Sequence, residues 1–71
     1  MATLYFNGLT ATGKSLTLAP MTSRRAAGLD PQPRDWAGYF LFEAFGGAER
    51  VIARVDDDEA ALSLAGLLGI S

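Results

Sequence analysis

The chain has 71 residues, of which 49 % are hydrophobic and 20 % charged, a net charge of −2, and neither cysteine nor histidine. Disulfides and Cys/His zinc sites are therefore excluded, as are a thiol nucleophile and an imidazole base. A chain of this length forms one domain, residues 1–71, and buries only about 60 % of its unfolded surface, so further burial has to come from another protein surface.

The acidic balance does not attract nucleic acid or an anionic membrane surface. The longest uncharged apolar run, Ala60 to Ile70, falls short of the roughly 20 residues that span a bilayer. No basic stretch precedes an apolar one at the start, so no leader is expected and the expected location is cytoplasmic. No membrane contact and no cofactor is expected.

In chain order, "ATLYF" (Ala2 to Phe6) is rich in strand formers, and Asn7-Gly8 is a strong hairpin signal. A turn there sets Phe6 against Leu9 and Leu4 against Ala11. A second turn through Gly13-Lys14 leads into the alternating "SLTLA" of Ser15 to Ala19. The rival is a two-strand hairpin with a long loop from Gly8 to Lys14. Pro20 closes that strand. A short helix follows in "MTSRRAAGLD", capped by Thr22 or Ser23 and stopped near Gly28. "DPQPRD", Asp30 to Asp35, is a loop.

"YFLFEAF" (Tyr39 to Phe45), Gly46-Gly47 and "AERVIARV" (Ala48 to Val55) predict a second hairpin. Its register pairs Glu43 with Arg50, Phe42 with Val51, Leu41 with Ile52 and Phe40 with Ala53. Phe40, Phe42, Ala44, Val51, Ala53 and Val55 then share one face; Tyr39, Leu41, Phe45 and Ile52 share the other. Neither face is polar. Asp56 to Gly69 is the clearest helix, with Asp56 as its cap, Glu59 as capping-box partner and a stripe of Ala61, Leu64, Ala65, Leu67 and Leu68. Leu62 and Ile70 fall outside the stripe.

The fold class that results is α+β. It is a small antiparallel sheet of two β-hairpin-like units each followed by a helix, ββ(β)α-ββα, with both helices packed on the sheet and a weak ββα duplication over residues 1–29 and 39–70.

"GLTATGKS", Gly8 to Ser15, fits the phosphate-loop pattern and resembles a Walker A box over these eight residues alone. That chemistry would use Gly8, Gly13, Lys14 and Ser15 to hold ATP or GTP. It requires a helix after Ser15, where "LTLAP" alternates like a strand and Pro20 would break the helix. The parallel sheet it also requires needs longer crossovers than 71 residues supply.

"DDDE" (Asp56 to Glu59) has carboxylates for a hard cation but not the spacing of a calcium loop, and reads as a helix start. Arg24, Arg25 and Arg34 suit phosphate or an acidic partner, or form a solvated face. Trp36 and Tyr39 are aromatics of the type found at interfaces. No triad or carboxylate pair is spaced for catalysis.

With both faces of the second hairpin apolar, the reading favours another chain covering one of them. The expectation is a non-catalytic protein-interaction module, self-associating as a homodimer through a sheet face or edge, with Tyr39, Leu41, Phe45, Ile52 and Leu62 at the interface. Nucleotide binding through residues 8–15 is the alternative. A second alternative is a small inhibitor or adaptor acting on a larger partner.

Overall fold

The computed structural model describes residues 4–10, 12–29 and 32–71, apart from the side chain of Phe45. The expected strand start at Ala2 and Thr3, the pairing of Ala11, and Asp30-Pro31 of the loop lie outside the described residues. The elements run β1 (Phe6–Leu9), β2 (Ser15–Ala19), α1 (Ser23–Ala27), β3 (Tyr39–Phe45), β4 (Ala48–Val55) and α2 (Asp58–Leu68). The chain is a small α+β fold whose four strands form one antiparallel sheet in the order β1-β2-β3-β4.

Asn7 and Gly8 do not turn the chain. Both lie inside β1, which pairs Phe6 with Leu18 and Gly8 with Leu16. The reversal spans Thr10 to Lys14, closed by Thr10 N–H donating to the Lys14 carbonyl (2.8 Å) and Lys14 N–H donating to the Thr10 hydroxyl (3.0 Å). The first unit is therefore a two-strand hairpin, and Gly8 serves a different purpose. A Cβ built on it would sit 2.8 Å from Ile70 Cγ2. The missing side chain lets Ile70 lie against the strand, a known use of glycine in strands. Beside it Asn7 and Ser71 exchange two backbone hydrogen bonds, 3.1 and 3.3 Å, on the outer side of β1.

The second hairpin turns on Gly46 and Gly47, with φ of 64° and 83°, the positive values a two-residue type I′ turn requires. Its register begins as the sequence suggests, Glu43 opposite Arg50 and Phe42 opposite Val51. It then slips: Leu41 faces Ala53 and Phe40 faces Arg54, with an irregularity between Leu41 and Phe42. Ile52 is the extra residue of a β-bulge, which moves the residues after it to the other face.

The slip decides how the core is built. Before the bulge, Val51 joins Phe40, Phe42, Met21 and Ala26 in one cluster. After it, Ala53 and Val55 join Leu16, Leu18, Tyr39, Leu41, Ala61, Ala65 and Ile70 in another. Adjacent residues of β3 point to opposite faces, so the two clusters lie on opposite sides of the sheet. Residues of α2 close one and residues of α1, with Met21, close the other. The second apolar face, expected to need another chain, is covered by this one. Phe42 and Leu18 are the large side chains with no exposure, and burial of each contributes about 1.5–3 kcal/mol.

Helix α2 begins one residue later than expected. Asp57 is the cap, its carboxylate accepting from Ala60 N–H at 2.8 Å, so Glu59 is not at the third helical position a capping box needs. The buried side is narrower than the expected stripe. Ala61 and Ala65 are buried, small enough to bring the helix close to the sheet, while Leu67 is 85 % exposed. Ile70, which falls outside that stripe, is buried beyond the C-cap Gly69. Thr22 caps α1 by accepting from Arg25 N–H at 3.2 Å.

Candidate functional site

β4 is an edge strand, with β3 on one side and, among the described residues, no strand on the other. It is the longest strand of the sheet, Ala48–Val55, twice the length of the opposite edge, β1. An open edge presents unpaired N–H and C=O groups that can template another strand. The β1 edge is blunted by its shortness and by the Asn7–Ser71 pair; that of β4 carries its bulge and charged side chains.

Those charges are fastened to the surrounding structure. Arg25, from α1, donates through Nη1 to both Glu49 carboxylate oxygens at 3.1 Å and lies 4.6 Å from the centroid of the Phe42 ring. It ties α1 to β4 while roofing the core. Arg54 donates through Nε to the Ala37 carbonyl (2.9 Å), pairs with Asp35 (3.3 Å) and sits 5.7 Å from the Phe40 ring. Arg50 pairs with Glu43 at 2.9 Å, and Lys14 approaches the same carboxylate at 3.8 Å. Arg24 and Arg34 are exposed and make no ion pair among the described residues.

An open groove of about 490 Å³ runs along the first half of β4. Gly28, Leu29, Gln32 and Pro33 form one wall; Glu49, Arg50 and Val51 form the other. Glu49 and Val51 point to the α1 side of the sheet and Arg50 to the opposite side. A smaller depression of about 290 Å³ adjoins it at Thr22, Arg24 and Arg25. Arg24 therefore stands beside the groove, and Arg34 follows the lining residue Pro33 in the chain.

The expected interface residues are not gathered into one patch. Tyr39 and Leu41 are 7 % and 3 % exposed, packed in the cluster that α2 closes, whereas Ile52 and Leu62 are 44 % and 54 % exposed, on β4 and α2. The side chain of Phe45 lies outside the described residues. The Tyr39 hydroxyl donates to the Asp58 carboxylate at 2.6 Å and accepts from Leu4 N–H at 3.4 Å. The Asp58 bond, then burial, hold its pKa above the ordinary value of 10.0, against a smaller lowering by Leu4 N–H. Trp36 is exposed and donates through its indole N–H to the Pro33 carbonyl at 3.0 Å.

The phosphate-loop stretch is divided between strands. Gly8 lies in β1, Ser15 opens β2, and Lys14 turns to Glu43. Strand β2, not a helix, begins at Ser15, so no ring of helix N–H groups is available to an anion there. The acids of Asp56–Glu59 serve the start of α2, and no group of three or more Asp or Glu residues converges to hold a metal among the described residues. No helix among them is long and apolar enough to cross a membrane. Of the groove, the sequence displays the arginine pair at 24–25 and the hairpin that carries Glu49 and Val51, but not their meeting with Leu29 and Pro33, which the packing of α1 and its following loop against β4 decides.

The fold and the groove define a four-stranded antiparallel α+β domain with one long open edge. No protein-family model, curated protein or solved structure matches this chain.

Proposed function

We propose that this protein is a non-catalytic interaction module whose contact element is the open edge of β4. A further strand, from a second copy of the chain or from another protein, adds to that edge. Backbone hydrogen bonds supply affinity in such additions, and pockets beside the strand supply selectivity. The observation that carries this reading is the contrast between the two edges: β1 is short and bonded at Asn7 by Ser71, while the eight-residue β4 has no strand paired on its outer side among the described residues.

Self-association is the simplest case and makes an isologous homodimer about a two-fold axis. An inhibitor or adaptor acting on a larger partner would use the same edge. Sedimentation across about 1–100 μM, the range in which modest interfaces associate, tests the dimer. The expected result is a species heavier than the monomer that Ile52→Lys disperses without loss of secondary structure, since an edge lysine blocks pairing. A monomer throughout, with Ile52→Lys indistinguishable from it, contradicts self-association.

A further inference from the structure

Resting on the reading of β4 as the contact edge, we infer that the groove between α1 and β4 receives an extended, acidic-apolar segment of another protein. Three features of the groove converge on that occupant.

Its position is the first. The groove is lined by Glu49, Arg50 and Val51 of the edge strand and by Gly28, Leu29 and Pro33 beside it, so a strand added at this part of β4 would have those residues next to it. Leu29 and Val51 are both partly buried against the Phe40–Phe42 cluster, so an apolar side chain entering there extends an existing core. Its floor continues the sheet.

Charge is the second feature. The chain carries −2 overall, yet of its two cations without an ion pair among the described residues, Arg24 lines the depression that adjoins this groove and Arg34 follows the groove residue Pro33 in the chain. The carboxylate inside it, Glu49, is already neutralised by Arg25 at 3.1 Å. Among the described residues the unpaired charge beside the groove is positive, and electrostatic matching at a rim selects partner and speeds encounter.

The third is the bulge. Ile52 interrupts the regular edge immediately after the groove, so the stretch open to regular pairing is the first half of β4. A short segment fits that length better than a second β4 paired along its whole span.

The test uses two blocked peptides of about seven residues, alternating glutamate with valine or lysine with valine, a length that matches β4 at about 3.4 Å per residue. Each is titrated to about 1 mM against the labelled full chain, with amide shifts as readout. The acidic peptide is expected to move Gly28, Leu29 and Glu49–Val51. Binding should weaken by about tenfold in the Arg24→Glu/Arg34→Glu variant, and again as salt rises. Both substituted side chains are exposed, so the variant should keep the parent's remaining spectrum.

Equal response to both peptides would overturn the acidic preference and leave the β4 reading intact. No response to either, in a chain that sediments as a dimer dispersed by Ile52→Lys, would identify the occupant as a second copy and overturn the inference alone. Silence from both peptides, with a monomer indifferent to Ile52→Lys, would overturn the inference and the proposed function together.

Discussion

Gly8 in β1 and Ile70 beyond α2 are in such close register that a single added methyl at residue 8 would lie 2.8 Å from Ile70 Cγ2. Replacing a strand glycine by alanine is ordinarily favourable. Here Gly8→Ala is predicted to destabilise by about 1–2 kcal/mol, as overpacking does, because a β-branched side chain has little rotamer freedom to move away. Denaturant unfolding of Gly8→Ala, Ile70→Ala and the double variant checks this. The double variant should be less destabilised than the sum of the singles.

Leu41 and Ile52, neighbours in the register expected from the sequence, should respond oppositely to lysine. Leu41 is 3 % exposed inside the α2-side cluster, so Leu41→Lys buries an unpaired charge at about 3–5 kcal/mol. A chain this size has roughly 4–10 kcal/mol in total. Ile52→Lys should shift the thermal midpoint only slightly. Circular dichroism melts of the two variants provide the comparison.

The cap of α2 is tested by two adjacent aspartates. Asp57→Ala should cost about 1 kcal/mol through the lost bond to Ala60 N–H. Asp56→Ala removes a solvent-exposed 3.8 Å pair with Arg54 and should stay within about 0.5 kcal/mol. A reversed order in urea unfolding would return the cap to Asp56.

Arg25 combines an ion pair to Glu49 with a position over the Phe42 ring. Lysine keeps the charge but not the planar stacking surface. Arg25→Lys is therefore predicted to destabilise by about 1 kcal/mol, measurable in the same urea series. Equality with the parent would reduce the contact to a simple ion pair.

Tyr39 gives a pH signature. Its pKa in the fold lies above 10.0, chiefly because its neutral hydroxyl donates to Asp58 and also because it is buried. A raised pKa means that the unfolded state loses its proton first. The contribution is thus fully present below about pH 10 and is lost as pH rises through the folded value. Tyr39→Phe should be less stable at neutral pH and should flatten this alkaline loss. An alkaline limb of the same steepness in both proteins would show that Tyr39 is not its source.

Much of the fold is legible along the chain. Gly46-Gly47, the Glu43–Arg50 pair and the apolar alternation define the second hairpin up to Phe42–Val51; Thr22, Gly28 and Gly69 mark helix ends. What escapes is what tertiary contact decides. Asn7-Gly8 has the local chemistry of a turn, but the packing of Ile70 over residue 8 and the backbone pair with Ser71 use it as strand. The bulge at Ile52 has no signature in "RVIARV", and it transfers Ala53 and Val55 to the α2 side. Only then does each face of the sheet have its own cover. For the same reason Tyr39 and Leu41 stand out in the sequence as apolar residues needing a partner, and that partner is α2. The groove depends on folded neighbours in the same way, since it brings Leu29 and Pro33 beside Glu49 and Val51.

Amide hydrogen exchange along β4 tests the central claim most directly, comparing the chain at low concentration with the chain at high concentration or saturated with the acidic peptide. The β4 amides that face away from β3 are predicted to exchange fast in the isolated chain and to slow on association, with β1 and α2 unchanged. Protection that develops on β1 or on the exposed side of α2, while β4 stays as it was, would contradict the assignment of β4 as the contact edge.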